Sequence, residues 1–423
     1  MIKKLGKDLL CRLLERQVRA LRARHDFKLI AVAGSVGKTS TKLAIAELLG
    51  TQAAVRFQDG NYNDRLTVPL IFFGQPEPSI FNIPAWLKIL WSNQRAIKQS
   101  YPYQFVVVEL GPDGPGQMHA FAYLQPDLTV LTAVAPEHMA FFKTLDAVAA
   151  EETKVFDYSQ VMLVNHDDVA AEYLTDKTYH SYGLDRQADY YLSDWQPHDL
   201  KNPQATLHLD NGKGVPVTLQ TLGQQGAKIN LAAAAVAHEL GFAEADIVKG
   251  LAAIKPAPGR MQILAGQHDS MIIDDTYNSS PLAAKAALDV LYTAQTKQRI
   301  AILGSMNELG EYSQTAHREV GAYCDPKKLE LVVTIGREAG EYLAAAAEEQ
   351  GCQVQRFDDA LLAGDYVAGL LKTDAVVLAK GSQNDVFAEE AVKKLLANSQ
   401  DAQRLVRQSS TWLAQKRRSG LSV

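Results

Sequence analysis

Cysteine is scarce in this chain. Only Cys11, Cys324 and Cys352 occur in 423 residues, without paired spacing, which excludes a disulfide framework and a thiolate zinc site. Long apolar runs are missing too. None approaches the roughly 20 residues needed to cross a bilayer, and the amino terminus lacks the pattern of a secretory leader. An excess of positive charge is also absent: 43 Lys and Arg stand against 48 Asp and Glu, a formal net charge of −5, which gives no global reason to expect nucleic acid. These absences point to the cytoplasm. At 47% hydrophobic and 22% charged, the composition is that of an ordinary globular protein, long enough for two or three domains.

What is present is concentrated first in Ile30-Ala-Val-Ala-Gly34-Ser35-Val36-Gly37-Lys38-Thr39-Ser40. An apolar strand, a glycine turn and a helix follow one another. Gly34 and Gly37 let the backbone curl so that successive N–H groups point at a phosphate, with the helix dipole behind them. Lys38 adds a full positive charge, and Thr39 a hydroxyl suited to a phosphate-bound magnesium ion. The spacing is the short form of the phosphate loop, since Val32 stands where the distal glycine of the full form would be. The competing reading is an ordinary glycine turn between strand and helix.

Before this loop, residues 1–26 read as a basic amphipathic helix. Ile2, Leu5, Leu9, Leu13, Val18 and Leu21 carry the apolar period, and Lys3, Lys4, Lys7, Arg12, Arg16, Arg19, Arg22 and Arg24 the basic face. Such a helix either packs on the next domain or lies on an anionic membrane surface, so peripheral membrane contact through residues 1–25 is an expectation to test. Residues 27–256 alternate short strands (28–33, 105–110, 128–134) with helices (38–49, 145–156), as an α/β domain with a mostly parallel sheet does. Between 185 and 217 short alternating segments and an Asp210-Asn-Gly turn mark a β subregion at its edge. A helix over 227–240 follows.

The segment Lys255-Pro-Ala-Pro-Gly-Arg260 breaks the pattern. Residues 257–423 then form a second α/β unit, with strands at 270–274, 299–303, 329–335 and 375–379 and a helix from 386. The basic tail Lys416-Arg-Arg-Ser-Gly reads as frayed. Polar residues collect where ligands sit in such sheets, beyond the carboxyl ends of strands. Glu109 closes Phe-Val-Val-Val-Glu, and His138 follows the strand at 128–134. A buried carboxylate at a strand end is costly alone and useful beside a cation.

Taken together, Gly34-Ser-Val-Gly-Lys-Thr, Gly60-Asn-Tyr-Asn with Val68-Pro-Leu, Glu109-Leu-Gly, His138, Pro258-Gly-Arg260, Asp274-Asp-Thr-Tyr-Asn278 and Leu303-Gly-Ser-Met-Asn-Glu-Leu-Gly310 resemble the Mur ligase family. The branch most resembled joins D-alanyl-D-alanine to UDP-N-acetylmuramoyl-tripeptide. The resemblance implies a central ATP-binding domain, a Rossmann-like C-terminal domain, and ATP with Mg2+ as cofactors. It implies an ADP-forming acid–amine ligase that works through an acyl phosphate on small-molecule or peptide substrates of peptidoglycan synthesis. The family's ATP site would take Gly34, Ser35, Val36, Gly37, Lys38, Thr39, Ser40, Asn230, Arg260 and Asp275. Thr39 and Glu109 would bind one magnesium ion, and His138 would help bind another. Asn61, Asn63, Asn278, Lys380, Gly381 and Ser382 would meet the substrates, and Lys38, His138 and Arg260 would act in catalysis.

Three departures from the family pattern carry expectations of their own. The family's carbamate-bearing lysine, 14 residues after His138, is Glu152 here, so a carboxylate is encoded where the family makes one from carbon dioxide. Glu152 is expected to hold metal and serve catalysis in its place, with Lys154 as the competing position. Gly226 stands where a histidine precedes Asn230. About thirty residues precede the phosphate loop, too few for the family's UDP-sugar domain. The acceptor is then either a murein precursor held by its peptide end or with a partner's help, or a peptide or amino-acid polymer, as in the polyglutamate and cyanophycin branches. A nucleotide-binding scaffold without turnover is the reading from a different class.

Overall fold

The computed structural model describes residues 2–421 other than 59, 61, 113, 137, 138, 198, 201, 202, 210, 211 and 308, and the side chains of all of these but 2–5, 139 and 140. The chain divides into two compact units, one of residues 1–195, 204–220 and 226–255, the other of residues 196–203, 221–225 and 256–423.

The first unit is built on β1 (Lys28–Ala33), β2 (Val55–Arg56), β3 (Phe105–Glu109), β4 (Leu128–Leu131), β5 (Val161–Asn165), β6 (His180–Gly183), β7 (Tyr190–Ser193), β8 (Gln204–His208) and β9 (Val215–Thr218), in the sheet order β2-β3-β1-β4-β5-β6-β7-β8-β9. Pairing is parallel from β2 to β7 and antiparallel from β7 to β9. The β subregion is thus the antiparallel edge of one continuous sheet. Both faces are covered, as a parallel sheet requires: Ile30, Val32 and Val107 enter one core and Leu29, Ala31, Val106 and Val108 the other. The register sets Val32 beside both Glu109 and Val130, so the carboxyl ends of three neighbouring strands finish level with one another. β4 stops at Leu131, short of the expected 134, because Thr132 turns its side chain to the phosphate loop.

The first four helices of this unit are α1 (Ile2–Arg24), α2 (Lys38–Gly50), α3 (Val68–Phe73) and α4 (Ile83–Lys98). α1 is a helix, but its buried stripe is not the one the apolar spacing suggests. Cys11, Leu14, Val18 and Leu21 are buried, whereas Leu9 and Leu13 face solvent. The phase is set by Glu15, which turns inward to accept from Arg65 Nε at 2.6 Å. Most of the apolar face of α1 is therefore taken up by packing. The expected helix at 145–156 is α-helical only over Leu145–Glu152 and tightens into a 3₁₀ turn at Thr153–Asp157.

The second unit contains β10 (Gln262–Ala265), β11 (Met271–Asp275), β12 (Arg299–Gly304), β13 (Leu331–Ile335), β14 (Val354–Phe357) and β15 (Val376–Lys380), ordered β10-β11-β15-β12-β13-β14. Only the edge strand β10 is antiparallel. Ile273, Ala301 and Leu378 face one core, and Ile272, Ile300 and Val377 the other.

The expectation of a frayed basic tail is corrected here. Residues Ser410–Arg418 form a helix, and Lys416 is fully buried, its Nζ 2.7 Å from Glu389 and 2.6 Å from Glu390. Two adjacent carboxylates on the helix Ala388–Leu395 have no exposed surface. Such a pair needs cations inside the fold, and the tail supplies one of them.

Candidate active site

In the first unit the phosphate loop leaves β1 at Gly34 and enters α2 at Lys38. Gly34 (φ 117°) and Gly37 (φ 87°) are both in the left-handed region. A Cβ on Gly34 would also crowd Thr132 Oγ1 and lie 2.8 Å from the Ala133 amide nitrogen, so the segment just after β4 leaves room for no side chain there. The loop is held from that segment: Thr132 Oγ1 donates to Val36 O at 2.7 Å and Ser35 N donates to Ala133 O at 2.9 Å. Lys38 reaches back across the loop and donates to Gly34 O at 2.6 Å. Thr39 is buried, while Val36 and Ser40 are half-buried.

Glu152 comes to the same loop. Its Oε2 accepts the Gly34 N–H at 2.8 Å, from a side chain only 3% exposed. Lys154, the competing position, instead donates to Glu151 at 2.6 Å. Glu151 also accepts the amides of Gly116 and Met118. Burial pushes the Glu151 carboxyl up, but Lys154 and those two amides outweigh it and hold the group below the ordinary carboxylate range.

Glu109 is buried at the end of β3. Asn63 Nδ2 approaches its Oε1 at 3.4 Å, while Oε2 lies 3.5 Å from the Nζ of Lys42 and accepts no hydrogen bond. Lys42 was not singled out from the sequence. It has no exposed surface and also donates to Gly60 O at 3.0 Å. Its position one turn beyond Lys38 is the signal that points to it, because a lysine on the inner face of α2 must find an anion. Asn63 is fixed at that carboxylate by its backbone as well, its O accepting Gly111 N at 2.9 Å. Asn61 and His138 lie outside the described residues.

A second group missed in the sequence braces the loop from behind. Lys228 donates to Asp168 at 2.9 Å, Asp168 accepts from Asn165, and Asn165 donates to Thr132 O at 2.8 Å. The polar run Asn165-His-Asp-Asp168 after an apolar strand was the available cue. Asn230, on the helix Gly223–Glu239, is fully buried and donates back to Gly226 O at 2.9 Å.

In the second unit the expected residues gather around the end of β11. Arg260 lies over the Tyr277 ring at 4.0 Å. The next residue, Met261, donates its N–H to Asp275 Oδ1 at 3.2 Å. Lys380, paired in register with Asp275, donates to its Oδ2 at 2.6 Å and to Asn278 O at 2.9 Å. Ser382 Oγ accepts Asn307 N at 3.0 Å. Gly381 is a packing position, where a Cβ would lie 3.0 Å from Ala388 and Val386. Arg407 was not foreseen: it binds Glu389 through two nitrogens (2.9 and 2.7 Å) and donates to the carbonyls of Thr276 and Tyr277. Asp274, beside the cluster, is fully buried. Burial pushes its carboxyl up to about 7, against two hydrogen bonds from Thr276.

Two family models match the chain, the Mur ligase middle domain over residues 32–238 and the Mur ligase glutamate ligase domain over residues 259–383. The chain belongs to the Mur ligase family. This Mur ligase is 26% identical over 325 residues to the UDP-N-acetylmuramoyl-tripeptide–D-alanyl-D-alanine ligase of Bacillus subtilis, a match covering 76% of this chain and 65% of that protein. Among solved structures, MurF of Acinetobacter baumannii superposes with a TM-score of 0.75 at 23% identity, covering 93% of this chain and 81% of the other. MurF of Thermotoga maritima, in complex with ADP, gives 0.73 at 23%, covering 92% and 83%. At these identities the two structures establish the fold, with its parallel sheets and two sheet-bearing units.

Magnesium is the metal that the family implies. Among the described residues no cluster of three or more His, Cys, Asp or Glu side chains has the arrangement of a metal centre. The described donors nonetheless fit a hard cation: the Thr39 hydroxyl stands in the first turn of α2, and one oxygen of the buried Glu109 carboxylate carries no hydrogen bond.

Proposed function

We propose that this Mur ligase uses ATP to join a peptide carboxylate to an amine through an acyl phosphate, extending a cell-wall peptide precursor with an amino acid or a dipeptide such as D-alanyl-D-alanine. The observation that carries this reading is the loop itself, where a buried lysine–carboxylate pair and a lysine folded over the Gly34 and Ser35 carbonyls surround a cradle of backbone amides. In the first step a carboxylate oxygen attacks the γ-phosphorus, and the bond to ADP breaks. In the second the amine nitrogen attacks the acyl carbon, the C–O bond to phosphate breaks, and the amine gives up a proton.

Each step brings anions together, so the residues' work is to concentrate positive charge and hold geometry. Lys38 and the loop amides of residues 36–40, past the two that Glu152 and Ala133 engage, bind the β and γ phosphates. Thr39 and Glu109 would hold magnesium, which when bound neutralises charge on the phosphates. His138 belongs to the same proposal, and Glu152 orders the loop through Gly34. Arg260 binds nucleotide beside the turn that Asp275 and Lys380 hold, Asn230 contributes to the adenine site, and Asn278, Lys380 and Ser382 border the amine. Asn61 and Asn63 meet the carboxylate substrate. The ATP requirement fits a cytoplasmic setting.

The test is phosphate release with UDP-linked, lipid-linked and free peptides, each crossed with D-alanyl-D-alanine and with single amino acids. Release that needs both a carboxylate and an amine is expected. Nucleotide binding without turnover on any pair would replace the ligase reading with that of a scaffold.

A further inference from the structure

Half of the exposed large apolar side chains among the described residues stand in one corner of the first unit. Of fourteen, seven are Leu9 and Leu13 of α1, Ile80 and Phe81 of the connecting segment, and Ile83, Leu87 and Trp91 of α4, with Phe81, Ile83, Leu87 and Trp91 all more than 60% exposed. The two helices run side by side in the same direction. Gln17 donates to Leu90 O and accepts from Asn93, and His25 meets Ile97 O eight residues further along. On α1 the flank turned to the protein carries Cys11, Val18 and Leu21, and on α4 it carries Trp86, Ile89 and Asn93. The opposite flanks, with Leu9 and Leu13 on α1 and Ile83, Leu87 and Trp91 on α4, therefore open to one side. An i, i+4, i+8 series on α4 thus continues into the exposed leucines of α1 as one ledge.

The charge around this ledge runs against the average of the chain. α4 contains no acidic residue, and Lys88, Arg95 and Lys98 are exposed along it. Arg95 lies 4.7 Å over the Trp91 ring. α1 adds exposed Lys7, Arg12 and Arg16, while its two acids, Asp8 and Glu15, are both engaged by Arg65. Glu77 is the one acid in the segment joining α3 to α4. Apolar side chains ringed by cations, with an indole among them and the lysine and arginine stems able to lift their charges away, match an anionic bilayer surface.

We propose that the α1–α4 ledge docks this ligase on anionic lipid. The two helices act as a rigid platform, because the inner residues of α1 are locked in the core and only the ledge is left to insert.

The experiment is co-sedimentation of the full chain with vesicles of phosphatidylglycerol and phosphatidylcholine, against phosphatidylcholine alone. Pelleting with the anionic vesicles, declining as salt is raised, is expected. The double variant Leu87→Glu/Trp91→Glu should bind at least about tenfold more weakly, with its unfolding midpoint and phosphate release unchanged. Leu362→Glu, an equally exposed leucine of the second unit, should bind as the parent does. Equal pelleting of parent and double variant overturns the proposal. So does a parent that fails to pellet but sediments as a dimer which the double variant makes monomeric, since the ledge would then be an interface between copies.

Discussion

Each unit ends a parallel strand in a carboxylate and brings a buried lysine to it, yet the two pairs are built differently. Glu109 and Lys42 stand 3.5 Å apart, with a carboxylate oxygen that accepts no hydrogen bond. Asp275 and Lys380 close to 2.6 Å, and the lysine also holds Asn278 O. The loose pair keeps acceptor capacity for an incoming cation while Lys42 offsets the charge of burial. The tight pair is saturated, and its work is to fix the turn that carries Tyr277 and Asn278. A carboxylate at a strand end is therefore not one kind of site: the distance to its lysine separates a ligand position from a structural clamp.

The comparison can be broken first at the tight pair. Lys380→Met should cost about 3–5 kcal/mol by chemical denaturation, and Lys42→Met distinctly less. The reverse order would remove the distinction. Next comes the neighbouring carboxylate of the same strand. Asp274 moves from an ordinary value of 3.8 to about 7, so below about pH 4 it is neutral in both states and carries no penalty. As pH rises toward 7 the unfolded chain ionises first, and stability falls by roughly 4 kcal/mol. Asp274→Asn should remove that component, read as the difference between the two unfolding curves across pH. A third measurement targets the loose pair: Glu109→Gln should lower phosphate release about 10²–10³-fold and raise the magnesium needed for half-maximal rate, with a smaller loss of stability than Lys380→Met. An unaltered magnesium dependence would assign Glu109 a structural role like that of Asp275. The smallest effect belongs to Glu152→Gln, expected at about 10–100-fold in turnover. Parent activity should be indifferent to bicarbonate, and a large bicarbonate rescue would transfer the role to Lys154.

The phosphate loop, the strand-end carboxylates and the two α/β units were legible because their signals are local: glycines spaced for a turn, an acid closing an apolar run, strands alternating with helices. Glu152 was reached through a family spacing, and the Gly34 amide explains why a carboxylate suits that position. Lys42 was missed because a lysine on a helix reads as solvated until the strand register sets Glu109 against it. Lys416 was misread for a similar reason, since three consecutive basic residues resemble a loose end and the acids that bury one of them lie 26 residues earlier. The phase of α1 depended on Arg65, some 50 residues away. What escaped, in each case, was a charge whose partner is distant in sequence.

The grip of Arg407 on residues 276 and 277 has a practical side. The second family model stops at residue 383, so a crystallographer shortening the chain to the matched region would cut away Arg407 together with the helix Ala388–Leu395 and the buried carboxylates Glu389 and Glu390 that Arg407 and Lys416 hold. Ile272 and Ile300 would then lose the apolar side chains of that helix from their core, and the Tyr277 turn would lose its anchor. A truncated protein that binds nucleotide poorly would be reporting on the trimming rather than on the enzyme.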